Sequence, residues 1–451
     1  MTPSAPTPAN PSDRWQLAAF LLVVAYLMLG FIYCVIQPPT APPDETANLQ
    51  YIRFLVDQRR LPHWEENGGG EGGYEAQHPP LTYLIEAVPY AASEGAGESY
   101  RWLAARLTVL VIGLALFAVL PPLARRLFPR DPLAAFALTA TVVLMPHSLM
   151  YLTFANPDAF CLLLAAAALL VAVRIYSDAA EHPLLPWVAG LLSAVASLVK
   201  LTVAPILFLF LLAQWLRPDQ KAAERWQKVC IISGVWLAGG AWWYVRNLVL
   251  YGKPFIHTKA TMGPGLEYAA LNGGPLRVAA VGASETYLSI WAQRGWFPAG
   301  TGESVLYCLV TLFVLLAGVG FFLRRRRSTS SPQAPDTALR FATAASVVIL
   351  TFTLVSQQIA YLFVDAGWNA GGRYLLTALP EIAVLLVLGL RSLVPPALAR
   401  AALGGWVALL VVMNLISANT IISALVPRDY PGWQMFDFPR QASPPDGAAA
   451  P

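Results

Sequence analysis

Charge is what this chain has least of: Asp, Glu, Lys and Arg make up 12% of its 451 residues, against 57% hydrophobic, and its mean hydropathy is +0.54. So small a charged fraction excludes a water-soluble globule, whose single interior could not hide that much apolar surface. Cysteine is scarce as well. Cys34, Cys161, Cys230 and Cys308 lie far apart, inside or at the edge of apolar runs and without metal-ligand spacing, so four buried free thiols are expected. No internal repeat is visible, and the glycines from Gly68 to Gly73 lack the spacing of a phosphate loop, which leaves mobility as their expected contribution. The net charge of +4 does not indicate a nucleic-acid partner, because the positives cluster in particular loops, as membrane insertion favours.

What the chain has is a series of apolar runs long enough to cross a hydrocarbon core of about 30 Å, so an all-α polytopic membrane protein with about 11 transmembrane helices is expected. The spans read roughly 15–36, 101–123, 132–151, 157–176, 184–199, 201–216, 229–250, 304–323, 340–363, 374–394 and 401–426, one domain over residues 15–426. The first run is too long for a signal-peptide core and is followed by Gln37-Pro38-Pro39 rather than a small-residue cleavage site, so it reads as an anchor. Residues 1–14 read as a disordered cytoplasmic terminus, 324–339 as a flexible cytoplasmic linker and 427–451 as an outer tail. An inside N-terminus makes every strongly basic connection cytoplasmic: Arg125 to Arg130, Arg217 to Lys228, Arg324 to Arg327 and Arg391 to Arg400. The outer loops are then 37–100 and 251–303, and the apolar stretch from Pro79 to Ser93 is too short and too rich in proline for a span, so it reads as a partly inserted outer segment.

The unusual polar residues share that outer face. Asp44 and Glu45 open a segment in which Leu49, Ile52, Leu55 and Val56 recur at helical spacing, read as an amphipathic helix lying on the outer membrane surface. At the helix N-terminus Asp44 could do no more than cap free amides; a carboxylate at the lipid boundary could also take a proton from an attacking hydroxyl. His78, in Gln77-His78-Pro79-Pro80, closes the same loop and is a candidate to touch substrate; with His63, Glu65, Glu66 and Glu71 it could form a metal site, although no ligand pair has a recognised spacing. Asn156-Pro157-Asp158 has the chemistry of an ordinary helix start. Lys200 interrupts the apolar run from Leu184 to Leu216, where a buried lysine would cost about 2.5–3.5 kcal/mol, so the chain is expected to turn there. Arg246, beside Trp242 and Trp243 of a possible aromatic belt, and Arg373, between Gly371-Gly372 and Tyr374, complete three cations at the outer boundary. Snorkelling to lipid headgroups would explain each alone; together with two carboxylates they suit an anionic ligand.

These pieces, in order, resemble the GT-C superfamily of membrane glycosyltransferases, in particular the protein mannosyltransferases and lipid A aminoarabinose transferases. The matching residues are Pro43-Asp44-Glu45 before the amphipathic helix, His78-Pro79-Pro80-Leu81, Asn156-Pro157-Asp158, Arg246-Asn247 with Tyr251-Gly252-Lys253-Pro254, and Gly372-Arg373-Tyr374-Leu375-Leu376 with Pro380. The resemblance implies a GT-C-like fold and an inverting transfer of sugar from a polyprenyl-phosphate donor to a hydroxyl of a lipid, glycan or protein. It makes Asp44 the general base, has Glu45 orient the acceptor or bind a divalent cation, and sets Arg373, Arg246 and Lys200 on the phosphate, with His78, Asn156, Asp158 and Tyr374 around the substrate. It departs from the family in lacking a soluble C-terminal domain and in placing Thr46-Ala47-Asn48 after the acidic pair. A plasma membrane location with the active site outside follows from the same reading. Two other functions fit a many-helix protein with an anion site: a transporter or flippase of lipid-linked precursors, and a non-catalytic assembly protein that docks a partner on its outer loops. A transporter would carry midplane charges and paired repeats, and neither is seen.

Overall fold

The computed structural model describes residues 11–38, 43–67, 69–179, 181–218, 220–257, 263–292, 301–328, 337–364 and 371–429. Among them every regular element is helical. Among the described residues seven helices are long and apolar enough to cross a membrane, eight if a bent pair counts as one span. Three further expected spans fall on shorter apolar helices of 13, 15 and 11 residues, whose rise of about 1.5 Å per residue is well short of a full hydrocarbon core.

In chain order, α1 (Pro11–Ile36) starts within the stretch expected to be unstructured. After it come α2 (Glu45–Gln58), a 3-10 turn at Tyr74–Gln77, and α3 (Leu81–Ala92). α4 (Glu98–Leu114) and α5 (Leu116–Leu127) form one span, and α6 (Pro132–Leu144) and α7 (Pro146–Tyr151) lead to α8 (Asp158–Ser177). α9 (Leu185–Val199) and α10 (Ile206–Leu216) are split at Lys200, where the chain turns as expected. α11 (Ala222–Gly240) and α12 (Trp242–Tyr251) meet at a bend of 49°. α13 (Pro275–Trp291), α14 (Thr301–Ser328) and α15 (Thr337–Phe363) precede a 3-10 segment, Gly372–Ala378. That segment runs into α16 (Leu379–Arg391); α17 (Pro396–Thr420), a π turn and α18 (Val426–Asp429) end the described chain. Residues 1–10, 329–336 and 430–451, within the expected terminus, linker and tail, lie outside the described residues.

The bundle is built for an apolar solvent. Leu17, Phe20 and Leu21 of α1, Leu315 of α14 and Val348 of α15 face outward, as lipid contact demands. α8 and α16 lie at the centre, and their mostly buried side chains form one continuous core with α6 and α17. At one crossing inside, polar groups are tied to each other: the Asn414 amide donates to the Leu144 and Leu410 carbonyls and Tyr33 donates to Asn414, the satisfaction that a low-dielectric interior favours. Two thiols break the expectation of burial, since Cys230 and Cys308 are exposed on α11 and α14.

The apolar face of the amphipathic helix is turned to protein rather than to lipid. The apolar side of α2 (Leu49, Ile52, Leu55) is buried against Tyr83, Ala87 and Tyr90 of α3 and Ala105 of α4, with Tyr51 stacked on Tyr83 at 4.2 Å. Helical spacing reveals an apolar face but not what covers it; here the cover is protein, a second, smaller core that fixes the start of α2.

Candidate active site

Asp44 is the last residue before α2 and holds a left-handed φ of 63°. Among non-glycine residues Asp tolerates this conformation comparatively well, at about 1–2 kcal/mol. The consequence is that its side chain caps nothing, contrary to the simplest sequence reading. Its two oxygens are held instead by distant groups: the Tyr74 hydroxyl donates to Oδ1 and Arg373 Nη1 donates to Oδ2. Burial pushes the Asp44 carboxyl up, but Arg373 and the Tyr74 hydrogen bond outweigh it and hold the group below the ordinary carboxylate range.

Each partner is aimed by its own backbone. Gly72 and Gly73 take φ values of 73° and 76° immediately before the Tyr74 turn, so these glycines serve a turn that few side chains tolerate rather than mobility. Burial, then Glu75 and the bond to Asp44, raise the Tyr74 hydroxyl well above its ordinary value, which keeps it a donor. Arg373 sits one residue after Gly372, where any Cβ would collide with the backbone of Ser289 and Ile290. The segment is pinned from two sides: the Gly372 amide donates to Ser289 Oγ at 2.7 Å and Gln357 Nε2 donates to the Gly371 carbonyl at 2.7 Å. The glycine thus admits α13, not a ligand.

A cavity of about 900 Å³ opens beside these groups. Asp44, Tyr74, Glu75, His78, Asp158, Lys200, Arg373 and Tyr374 all line it, so most of the residues picked from the sequence do converge. Three acid-base pairs stand in its wall. Beside Asp44 with Arg373, Lys200 Nζ lies 2.7 Å from Asp158 Oδ1, and His78 Nε2 lies 3.0 Å from Glu75 Oε2. Burial pushes the Lys200 ammonium down, but Asp158 more than offsets it and keeps Lys200 above the ordinary lysine range. Tyr374 accepts from Arg373 Nη2 at 3.0 Å. Leu201, Pro205, Phe255, Ile256, Phe352 and Ala360 make another part of the wall apolar.

Three expected roles meet a different geometry. Glu45, next to Asp44, points into the protein: Arg106 donates to it from Nε at 2.7 Å and from Nη2 at 2.5 Å, the Ala155 amide donates at 3.2 Å, and both side chains of the pair are 0% exposed. A carboxylate so enclosed holds α2 to α4 and presents no oxygen to the cavity. Asn156 lines the cavity with nothing left to offer, because its NH2 donates to the Tyr151 and Phe154 carbonyls and its oxygen accepts from the Asp158 and Ala159 amides. Arg246 is not among the lining residues; it lies over the Trp243 ring at 4.9 Å and donates to the Pro62 carbonyl at 3.1 Å. Trp243 is itself buried, not part of an interfacial belt. Two of the three acids grouped as a possible metal cluster are taken by cations: Glu71 accepts from Arg60 and Glu66 from Lys253. Among the described residues no three His, Cys, Asp or Glu side chains are arranged to hold a metal ion.

Sequence reasoning missed Tyr74, Glu75, Asn48, Trp243 and Gln357, all in the cavity wall. The positions of Tyr74 and Glu75 between a glycine pair and His78 carry a signal. Asn48 and Gln357 sit inside helices, and nothing local distinguishes them.

No family model matches this chain, and no curated protein matches it. Among solved structures it is similar to ArnT from Cupriavidus metallidurans in the apo state, at 17% identity and a TM-score of 0.43, over 90% of this chain and 78% of that one. It is similar to the same protein bound to undecaprenyl phosphate at 17% identity and a TM-score of 0.43, over 88% of this chain and 77% of that one. At that distance no residue is carried across from either structure.

Proposed function

We propose that this protein is a membrane glycosyltransferase of the GT-C kind, which moves a sugar from a polyprenyl phosphate to an acceptor hydroxyl at the outer end of its helix bundle. The observation that carries this reading is one cavity whose wall holds the Asp44 carboxylate, the Arg373 and Lys200 cations and an apolar surface together. The partition of connections supports the outward orientation: the second, polar concavity takes Asp178, Glu181, Arg217 and Lys228 from connections that the charge bias assigns to the cytoplasm, and shares no lining residue with the first.

The chemistry balances with these groups. The acceptor oxygen attacks the anomeric carbon opposite the phosphate, the bond from that carbon to the phosphate oxygen breaks, and its electron pair leaves with the phosphate, inverting the centre. The acceptor proton passes to Asp44. The leaving group goes from a singly charged diester towards a doubly charged monoester, and cations in a poorly solvated wall favour that growing charge. Asp158 and His78 line the same cavity and are assigned, in this reading, to holding the sugar or acceptor.

The test is release of undecaprenyl phosphate from a panel of undecaprenyl-phosphate sugars by purified protein in nanodiscs supplied with acceptor extracts. Turnover that Asp44→Asn abolishes supports the reading. Turnover unchanged in that variant removes Asp44 from the mechanism, and binding without turnover across the panel favours a carrier of such lipids.

A further inference from the structure

Arg373 and Lys200, the two cations in the cavity wall, each already hold a carboxylate, so an anion that enters must take its cation from a protein acid. The pairs are not equivalent. Asp158 and Lys200 are each 12% exposed at the side chain, and Lys200 is the charge set against Asp158; separating them would strand two poorly solvated charges. Asp44 and Arg373 are more open, at 35% and 28%, and Asp44 has a second anchor in the Tyr74 hydroxyl. The Arg373 guanidinium is steadied from elsewhere through Tyr374.

From this we infer that Asp44 and the phosphate of the ligand are rivals for Arg373, and that Tyr74 keeps the Asp44 carboxylate in the cavity after the anion has taken the guanidinium. The inference rests on the anion-binding role proposed above for Arg373. It gives the ion pair a purpose in the reaction: without an anion, Arg373 holds one Asp44 oxygen and Tyr74 the other, and both donors weaken the carboxylate as a base. Anion capture frees Oδ2 while Tyr74 still holds Oδ1, so Tyr74 is a positioning residue and phosphate-linked substrate arms the base by binding. Reciprocity follows from linkage, since whatever Asp44 gains from Arg373 the phosphate must lose.

Equilibrium binding of undecaprenyl phosphate to the full chain in nanodiscs tests this, with each variant first shown to be monodisperse and to melt like the parent. Asp44→Asn, which suits a left-handed position, is expected to tighten binding about tenfold, within the usual range of coupling between sites. Tyr74→Phe leaves Asp44 with Arg373 alone and is expected to weaken binding several-fold in the parent and not at all in the Asp44→Asn background; a merely structural Tyr74 would weaken both alike. Unchanged or weaker binding in Asp44→Asn, while Arg373→Ala loses binding, overturns the rivalry. If Arg373→Ala binds like the parent, the anion-binding role itself fails instead. Should Asp44→Asn not fold, Asp44→Ser carries the same expectation.

Discussion

Asp44 and Glu45 are neighbours in the chain, and their carboxylates serve opposite ends of the molecule's physics. The left-handed turn at Asp44 sends one into the cavity with Arg373, while Glu45, the first residue of α2, drives the other against Arg106 in the interior. A pair that looks like one acidic motif is therefore one group facing the cavity and one group spent on holding α2 in place.

Substitutions at these two positions should separate cleanly. Glu45→Ala leaves Arg106 charged and enclosed and is expected to cost about 3–5 kcal/mol, read as a lower melting temperature in detergent. Asp44→Asn should melt like the parent and lose sugar transfer by about 10²- to 10⁴-fold, the usual contribution of a general base.

Gly372→Ala tests the packing that aims Arg373. A methyl group there meets the backbone of Ser289 and Ile290, which cannot rotate away as a side chain could. The expected result is a loss of about 1–3 kcal/mol in stability, accompanied by weaker undecaprenyl phosphate binding because Arg373 moves with its neighbour.

Asn156→Ala should act on folding alone. Its amide is saturated by the start of α8 and the turn before it, so the expected loss is about 0.5–2 kcal/mol, with undecaprenyl phosphate affinity retained in the folded fraction. Lys200→Met, by contrast, should reduce that affinity, since Lys200 lines the cavity and Asn156 has no donor left to give.

The acid limb of the rate profile should differ between the two kinetic constants. In the free protein Arg373 and Tyr74 hold the Asp44 carboxyl down, so kcat/KM is expected to stay level until the pH falls below the ordinary carboxylate range, near pH of about 4. In the complex Arg373 is occupied by phosphate and the depression is relieved, so the limb of kcat should lie at higher pH. Coincident limbs would show that the ion pair survives binding.

Several features were legible without the fold because they depend on neighbours in the chain. The break at Lys200 is one: an ammonium in an apolar run must find a helix end or a partner, and it found both, as the C-cap of α9 and beside Asp158. The helix start at Asn156 is another, since capping is a matter of two or three residues. Arg246 shows where such reasoning stops. It stands at the expected span end, yet its guanidinium is spent on Trp243 and the Pro62 carbonyl, because which surface a long side chain reaches is set by the elements packed around it.

The amino-acid sequence by itself determined that this is a helical membrane protein with its unusual polar residues at helix ends, because length and polarity of apolar runs are local quantities that the solvent sorts directly. Only the tertiary structure decided which charge meets which. Asp44 and Arg373 are 329 residues apart, and their meeting depends on α2 packing on α3 and α4 and on Gly372 admitting α13. Ion-pair choice follows distance across packed helices, a sum of many weak contacts that no window of sequence contains.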